Sequence, residues 1–360
     1  ASGSHLGLLI STSAFLELLF SPIWGSVSDR VGRKPILLLG LLGYSLSSLL
    51  FGLSTELWML FASRALSGVL SSATSSTALA YISDSTSERD RGGGMGALGA
   101  AIGLGLILGP AAGGWMGGSS LALPLFVAAG SSLLALLLAA LWLPESLPVK
   151  VRQRAGKVRT IDLGALWRAL FGPIGLLMFL LFLVSFGLAN FESIFGLYAA
   201  QELDYGPERV GTILAVVGLV STLGKAIIIG PLTRRWGEAP IIKVSLAASA
   251  AGFVILLLAV TYPGVLLATG IFILSKTLLR TVIISLASKR ATVGQGTTMG
   301  LSNSFMNLGR IVGPIWAGFI FDVNVNYPYL SGAAIMFAGF LISLGWVSQT
   351  SGGPAFTPHS

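Results

Sequence analysis

The chain has 360 residues, of which 54% are hydrophobic and only 10% charged, with 47 glycines, no cysteine and a formal net charge of +8. Soluble domains carry roughly 25% charged residues, so this composition excludes a soluble enzyme or a basic nucleic-acid-binding domain. The absence of cysteine excludes disulfides and thiolate metal sites. His5 and His359 lie near opposite termini, and no sequence cluster of His, Asp or Glu calls for a metal, a cofactor or catalysis. An enzyme is therefore not expected. What remains is a polytopic membrane protein.

Apolar segments bounded by charged or Pro/Gly turns follow in chain order at 6–24, 36–54, 58–82, 95–117, 121–143, 171–199, 210–232, 240–260, 263–287, 297–320 and 328–349. Each is near the ~20 residues of a bilayer span. Each is predicted to be a helix, because an open segment in lipid must satisfy its own backbone groups. The fold class is thus all-α, with 11 spans. Sixteen of the 22 basic residues fall on one set of loops, among them Arg30, Arg33, Lys34, Lys150, Arg152, Arg235 and Lys289, against Arg209 alone on the other. The basic side is cytoplasmic, which leaves residue 1 outside. The remaining five, Arg64, Lys225, Lys276, Arg280 and Arg310, lie inside predicted helices.

The chain repeats itself. Gly25, Arg30, Gly32 and Pro35 match Gly230, Arg235, Gly237 and Pro240 at a shift of 205. Met95, Gly96, Gly105, Gly109 and Pro110 match Met299, Gly300, Gly309, Gly313 and Pro314 at a shift of 204. Two blocks with nearly one offset indicate a duplication, with halves related by an axis along the membrane normal. The expected division is a helix bundle at 1–143, a cytoplasmic linker at 144–170, a second bundle at 171–350 and a tail at 351–360. The same offset places the counterpart of the helix at 171 about 33 residues before Ala1, so the chain is expected to hold 11 helices of a plan of twelve, without the first.

The first cytoplasmic loop reads Gly25-Ser-Val-Ser-Asp29-Arg30-Val-Gly32-Arg33-Lys34-Pro35. By charge alone it is a solvated positive-inside loop, with Gly32 permitting a tight turn. With its glycines at these spacings it resembles the signature loop of the major facilitator superfamily. Arg64 and Gly68 match the spacing of an arginine and a glycine on that family's fourth helix. The stretch Gly105-x-x-x-Gly109-Pro110-x-x-Gly113-Gly114 resembles the antiporter motif of its proton-coupled exporters, and Tyr81-Ile-Ser-Asp84 extends the likeness. The chain as a whole is most similar to the tetracycline and multidrug antiporter branch. The resemblance implies a latch between the halves built on Gly25, Asp29, Arg30, Gly32, Arg33, Lys34 and Asp84. It also implies proton-coupled antiport of a small organic molecule by a monomer, through rocking of two bundles, in a plasma or inner membrane. Uptake or facilitated transport by the same fold, and a non-transporting receptor or scaffold, are the alternatives.

Several residues have readings of their own. Glycines 105, 109, 113 and 117 form one helical stripe, suited to close backbone packing, and Pro110 lacks a backbone donor. Ionisable groups inside a membrane mark function by default. Glu17 lies about 16 Å into its helix at 1.5 Å per residue, either as a proton-taking carboxylate or as a partner to an arginine. Arg64 either faces the bundle or snorkels outward. Glu192, beside Asn190, is either interfacial or functional. Lys276 and Arg280 share a helix face, as do Asn303, Asn307 and Arg310. Five embedded bases against two acids favour an anionic or zwitterionic substrate.

Overall fold

The computed structural model describes residues 2–87, 90–148, 163–172, 174–290 and 295–348. The basic stretch containing Lys150 and Arg152, and the tail at 351–360, lie outside the described residues. In chain order the first helices are α1 (Gly3–Val31), α2 (Arg33–Gly52) and α3 (Leu57–Leu66), which runs through a π-helical turn at Ser67–Ser71 into α4 (Ser72–Ser85). α5 (Arg91–Gly117), α6 (Leu123–Trp142) and the short α7 (Leu163–Leu170) follow. α8 (Gly175–Glu202) precedes α9 (Pro207–Leu223), which passes through a second π turn at Gly224–Ile228 into α10 (Ile229–Trp236). The chain then forms α11 (Glu238–Leu258), α12 (Tyr262–Arg290), α13 (Gln295–Val323) and α14 (Tyr327–Ser348).

Counting α3–α4 and α9–α10 as single rods, all eleven predicted spans are present as helices among the described residues. Most outrun their apolar segments by a few residues, because a helix that has left the hydrocarbon keeps its backbone bonds for as long as no breaker intervenes. The breakers are visible: Gly32 at φ 120° separates α1 from α2, and Gly237 at φ 75° separates α10 from α11. Both backbones sit where a Cβ is penalised, at positions one repeat apart. Two features were not legible in the pattern. The π turns leave apolar periodicity intact, and α7 lies within the stretch expected to be linker.

α1, α2, α4 and α6 pack together, while α8 is surrounded by α12, α13 and α14, with α11 against α12 and α14. The largest buried apolar cluster lies entirely in the second group, around Phe191, Phe195, Phe253, Phe272 and Tyr329. α8 is buried along most of its length. α5 is exposed along nearly all of its length and packs mainly on α9. Three pairs of helices join the groups among the described residues: α1 with α13, α1 with α8, and α5 with α9.

Candidate functional site

At the cytoplasmic end of α1 the signature loop folds into an ion-pair knot. Arg33 Nη1 lies 2.6 Å from Asp29 Oδ1 and Arg33 Nε donates to Asp84 Oδ2 at 2.8 Å. Arg33 Nη1 also donates to Ser28 Oγ at 2.6 Å. The Glu145 carboxylate caps α2, accepting from the Arg33 and Lys34 backbone N–H at 2.9 and 3.2 Å. Lys34 Nζ donates to the Ala140 carbonyl at 2.8 Å, and Tyr81 donates to the Pro144 carbonyl at 2.9 Å. Asp29, Arg33, Lys34 and Asp84 are thus drawn together as expected, by bonds within the first group of helices. The resemblance led us to expect a latch between the halves; in this conformation these bonds stay on one side. A Cβ on Gly25 would meet no atom within 4 Å among the described residues. The sequence carried no signal for Glu145, which is 112 residues from its partner.

The outer ends of the membrane helices hold the groups together through two crossings that are copies of each other. In one, a Cβ on Gly7 of α1 would strike the Pro314 carbonyl of α13, and one on Gly318 would strike the Gly3 carbonyl. In the other, a Cβ on Gly211 of α9 would lie 2.5 Å from the Pro110 carbonyl of α5, and one on Gly114 would lie 2.6 Å from the Pro207 carbonyl. Each residue of the first crossing maps onto the second at a shift of 204. Such backbone proximity needs residues without side chains. Asp322 of α13 adds a cap, accepting from Gly3 N and Ser4 N at 2.7 and 2.9 Å. Ser11 Oγ donates to the Ile311 carbonyl at 2.6 Å.

The glycine stripe packs at one end only. Among the described residues a Cβ on Gly105, Gly109 or Gly113 would meet nothing within 4 Å, whereas one on Gly117 would meet Pro207; off the stripe, Gly103 and Gly114 approach Thr222 and Gly211. In the second copy of the motif, Gly309 and Gly313 do pack on backbone, against Phe182, Phe186 and Asn190 of α8. Pro110 lies inside an uninterrupted helix.

Deeper in the membrane the charged residues converge. Arg310 Nη2 of α13 reaches Glu17 Oε2 of α1 at 3.7 Å, linking the two groups, with Arg310 half exposed. Glu192 of α8 is exposed to solvent, yet lies within electrostatic range of Lys276, Arg310 and Arg280. This is the situation of a group lining a deep cavity. Lys276 is buried, its Nζ has no hydrogen-bond partner among the described residues, and it sits 4.6 and 5.1 Å from the Phe272 and Phe253 ring centres. Cation–π attraction partly replaces the lost water there. Arg280 and Lys225 are exposed, Asn303 is exposed and Asn307 half-buried. Asn190 donates instead to the Pro328 carbonyl at 3.0 Å within the second group.

The Arg64 guanidinium lies 4.6 Å from the Phe51 ring centre, and its Nε is buried with no hydrogen-bond partner among the described residues. One turn on, Gly68 sits in the π turn, where a Cβ would lie 2.6 Å from the Ser13 carbonyl of α1. The spacing therefore places the arginine and lets α1 approach. Such π turns are frequent at functional sites.

The sequence matches the profile of the Major Facilitator Superfamily over residues 1–294 and again over 177–358. The chain belongs to the major facilitator superfamily. Multidrug resistance protein 2 of Bacillus subtilis is 31% identical over 96% of this chain and 87% of its own length. Multidrug resistance protein 1 of the same organism is 32% identical over 96% and 88%. The quinolone resistance protein NorA of Staphylococcus aureus is 26% identical over 95% and 87%. Among solved structures, the nucleoside transporter NupG superposes with a TM-score of 0.80 at 14% identity, over 96% of this chain and 91% of its own. The human organic anion transporter MFSD10 superposes at 0.66 and 23%, over 94% and 83%. This major facilitator protein is accordingly a multi-pass integral membrane transporter of small molecules, with multidrug-resistance relatives, and not an enzyme.

Proposed function

We propose that the chain is a monomeric, proton-coupled exporter of small organic molecules in a plasma or inner membrane. It would work by rocking the bundles at 1–143 and 171–350 about the central cavity. The observation that carries this reading is the Glu17–Arg310 contact, an ion pair that spans the two groups at mid-membrane depth while both outer crossings are packed. The named crossing contacts occupy the outer half of the helices. Nearer the cytoplasm α1 bonds inside its own group, as Trp24 Nε1 does to the Val69 carbonyl. This is the arrangement of a carrier closed outside and loading from within.

Glu192 and Glu17 are the carboxylates that take and release the proton, and Arg310 is the cation both of them face. Protonating either acid removes its hold on Arg310, and a bound substrate perturbs the same contacts. Two ligands biasing one equilibrium are thereby coupled. The knot at Asp29, Arg33, Lys34 and Asp84, next to Arg30 in the same loop, serves as the cytoplasmic latch when the carrier closes inside. Arg64 and the Gly109-Pro110 segment are the coupling and hinge elements of the first bundle.

Efflux of a fluorescent substrate from proteoliposomes, with and without an imposed pH gradient, tests this. The gradient is expected to accelerate export at least tenfold, and Glu192→Gln to abolish the acceleration. Flux indifferent to the gradient would sink the coupling.

A further inference from the structure

The charges gathered around Glu192 and Glu17 do not balance. Arg280 of α12, Lys225 in the second π turn and Arg310 of α13 are all exposed. Arg280 lies within electrostatic range of Lys225 and Arg310, and of one acid, Glu192. Among the described residues neither Arg280 nor Lys225 has a carboxylate within ion-pair distance. The acids that face these cations are Glu192, from α8, and Glu17, from α1. Cavities lined by one sign of charge and walled by apolar helices concentrate the opposite ion. Guanidinium groups in particular match the two oxygens of a carboxylate or the oxygens of a sulfonate.

The Glu17–Arg310 contact has the geometry of a placeholder. At 3.7 Å it is longer than the 2.7–2.9 Å of a charge-assisted hydrogen bond, and half of Arg310 is open beside it. A second anion can approach Arg310 while bonding to Arg280, and Glu17 is then the group displaced.

We infer that the cavity is a binding site for amphipathic organic anions, whose carboxylate or sulfonate is held by Arg280 and Arg310 with Lys225 beside them, and that Glu17 is the resident competitor for that site. This deepens the carrier reading above and rests on it. An anion leaving in exchange for an entering proton moves positive charge inward twice, so transport is strongly electrogenic.

The test uses the full chain, purified, and two xanthene dyes of similar skeleton and opposite charge, fluorescein and rhodamine 6G, with binding read by fluorescence polarisation. Fluorescein is expected to bind at least tenfold more tightly. Arg280→Gln should weaken fluorescein at least tenfold and leave rhodamine 6G within twofold. Glu17→Gln should tighten fluorescein about threefold, a sign that damage to the fold does not produce, so this arm decides the matter if Arg280→Gln fails to fold. Preference for rhodamine 6G, binding of neither dye, or a weaker fluorescein complex in Glu17→Gln overturns the assignment. Tight fluorescein binding with gradient-insensitive export instead removes proton coupling and leaves the anion site standing.

Discussion

The two halves use the same positions with the charges exchanged. On the cytoplasmic side of the first half Arg33 pairs with Asp84; one repeat later, both displaced by 205, Glu238 pairs with Lys289. At the outer crossings Asp322 caps the start of α1, whereas in the copy the acid has moved to the other partner, as Glu208, whose carboxylate occupies the space a Cβ on Gly118 would fill. Mid-membrane the likeness ends: Glu17 and Arg310 meet where the copy offers Ser221 and Leu106. What the duplication preserves is where helix ends must be joined. The sign of each charge is free to change, since an ion pair works in either polarity, and the unmatched pair at the centre is where the halves have specialised.

The comparison can be broken most forcefully at the buried pair. The Arg33 side chain is only 10% exposed and holds two carboxylates. Arg33→Glu, which leaves three acids together, is expected to destabilise by about 3 kcal/mol, read as thermal unfolding in detergent. Adding Asp84→Lys copies the polarity of the second half and should recover at least half of that loss. No recovery would mean that polarity is not interchangeable.

A smaller effect separates neighbours on α5. Gly114→Val forces a side chain into α9 and should cost about 2 kcal/mol. Gly113→Val enters open space and should cost nothing measurable by the same unfolding assay. Smaller again is Asp322→Ala. Losing a cap amounts to about 1 kcal/mol, or roughly a fivefold shift away from the outer-closed state. The chain has no cysteine, so spin labels on Ser120→Cys and Asn326→Cys would report outer-side separation without background; an unchanged distance distribution contradicts the capping role. Least of all, Lys289→Ala should change stability by under about 0.5 kcal/mol, because that side chain is 63% exposed and such pairs are screened.

Much of the site was legible residue by residue. Asp29 and Arg33 announced themselves as opposite charges clustered at a turn, Asp84 came only with the family resemblance, and Glu17 and Arg310 stood out as ions where ions are costly. Their neighbours were not. Glu145 and Asp322 sit at helix ends, where a carboxylate is unremarkable, and only the approach of a helix start 112 or 319 residues away gives each its function. Nothing in the spacing separated an outward-facing Arg64 from one folded over Phe51.

Sequence alone determined what depends on composition and one-dimensional spacing: residence in a membrane, eleven helical segments and the repeat. These follow because lipid forces each span to satisfy its own backbone. Tertiary structure decided what depends on rotation about a helix axis and on meetings between distant helices. Successive residues differ by about 100° around a helix, so Gly113 looks into open space while Gly114 touches another backbone. The same geometry selected which of five embedded cations would meet an acid across the cavity.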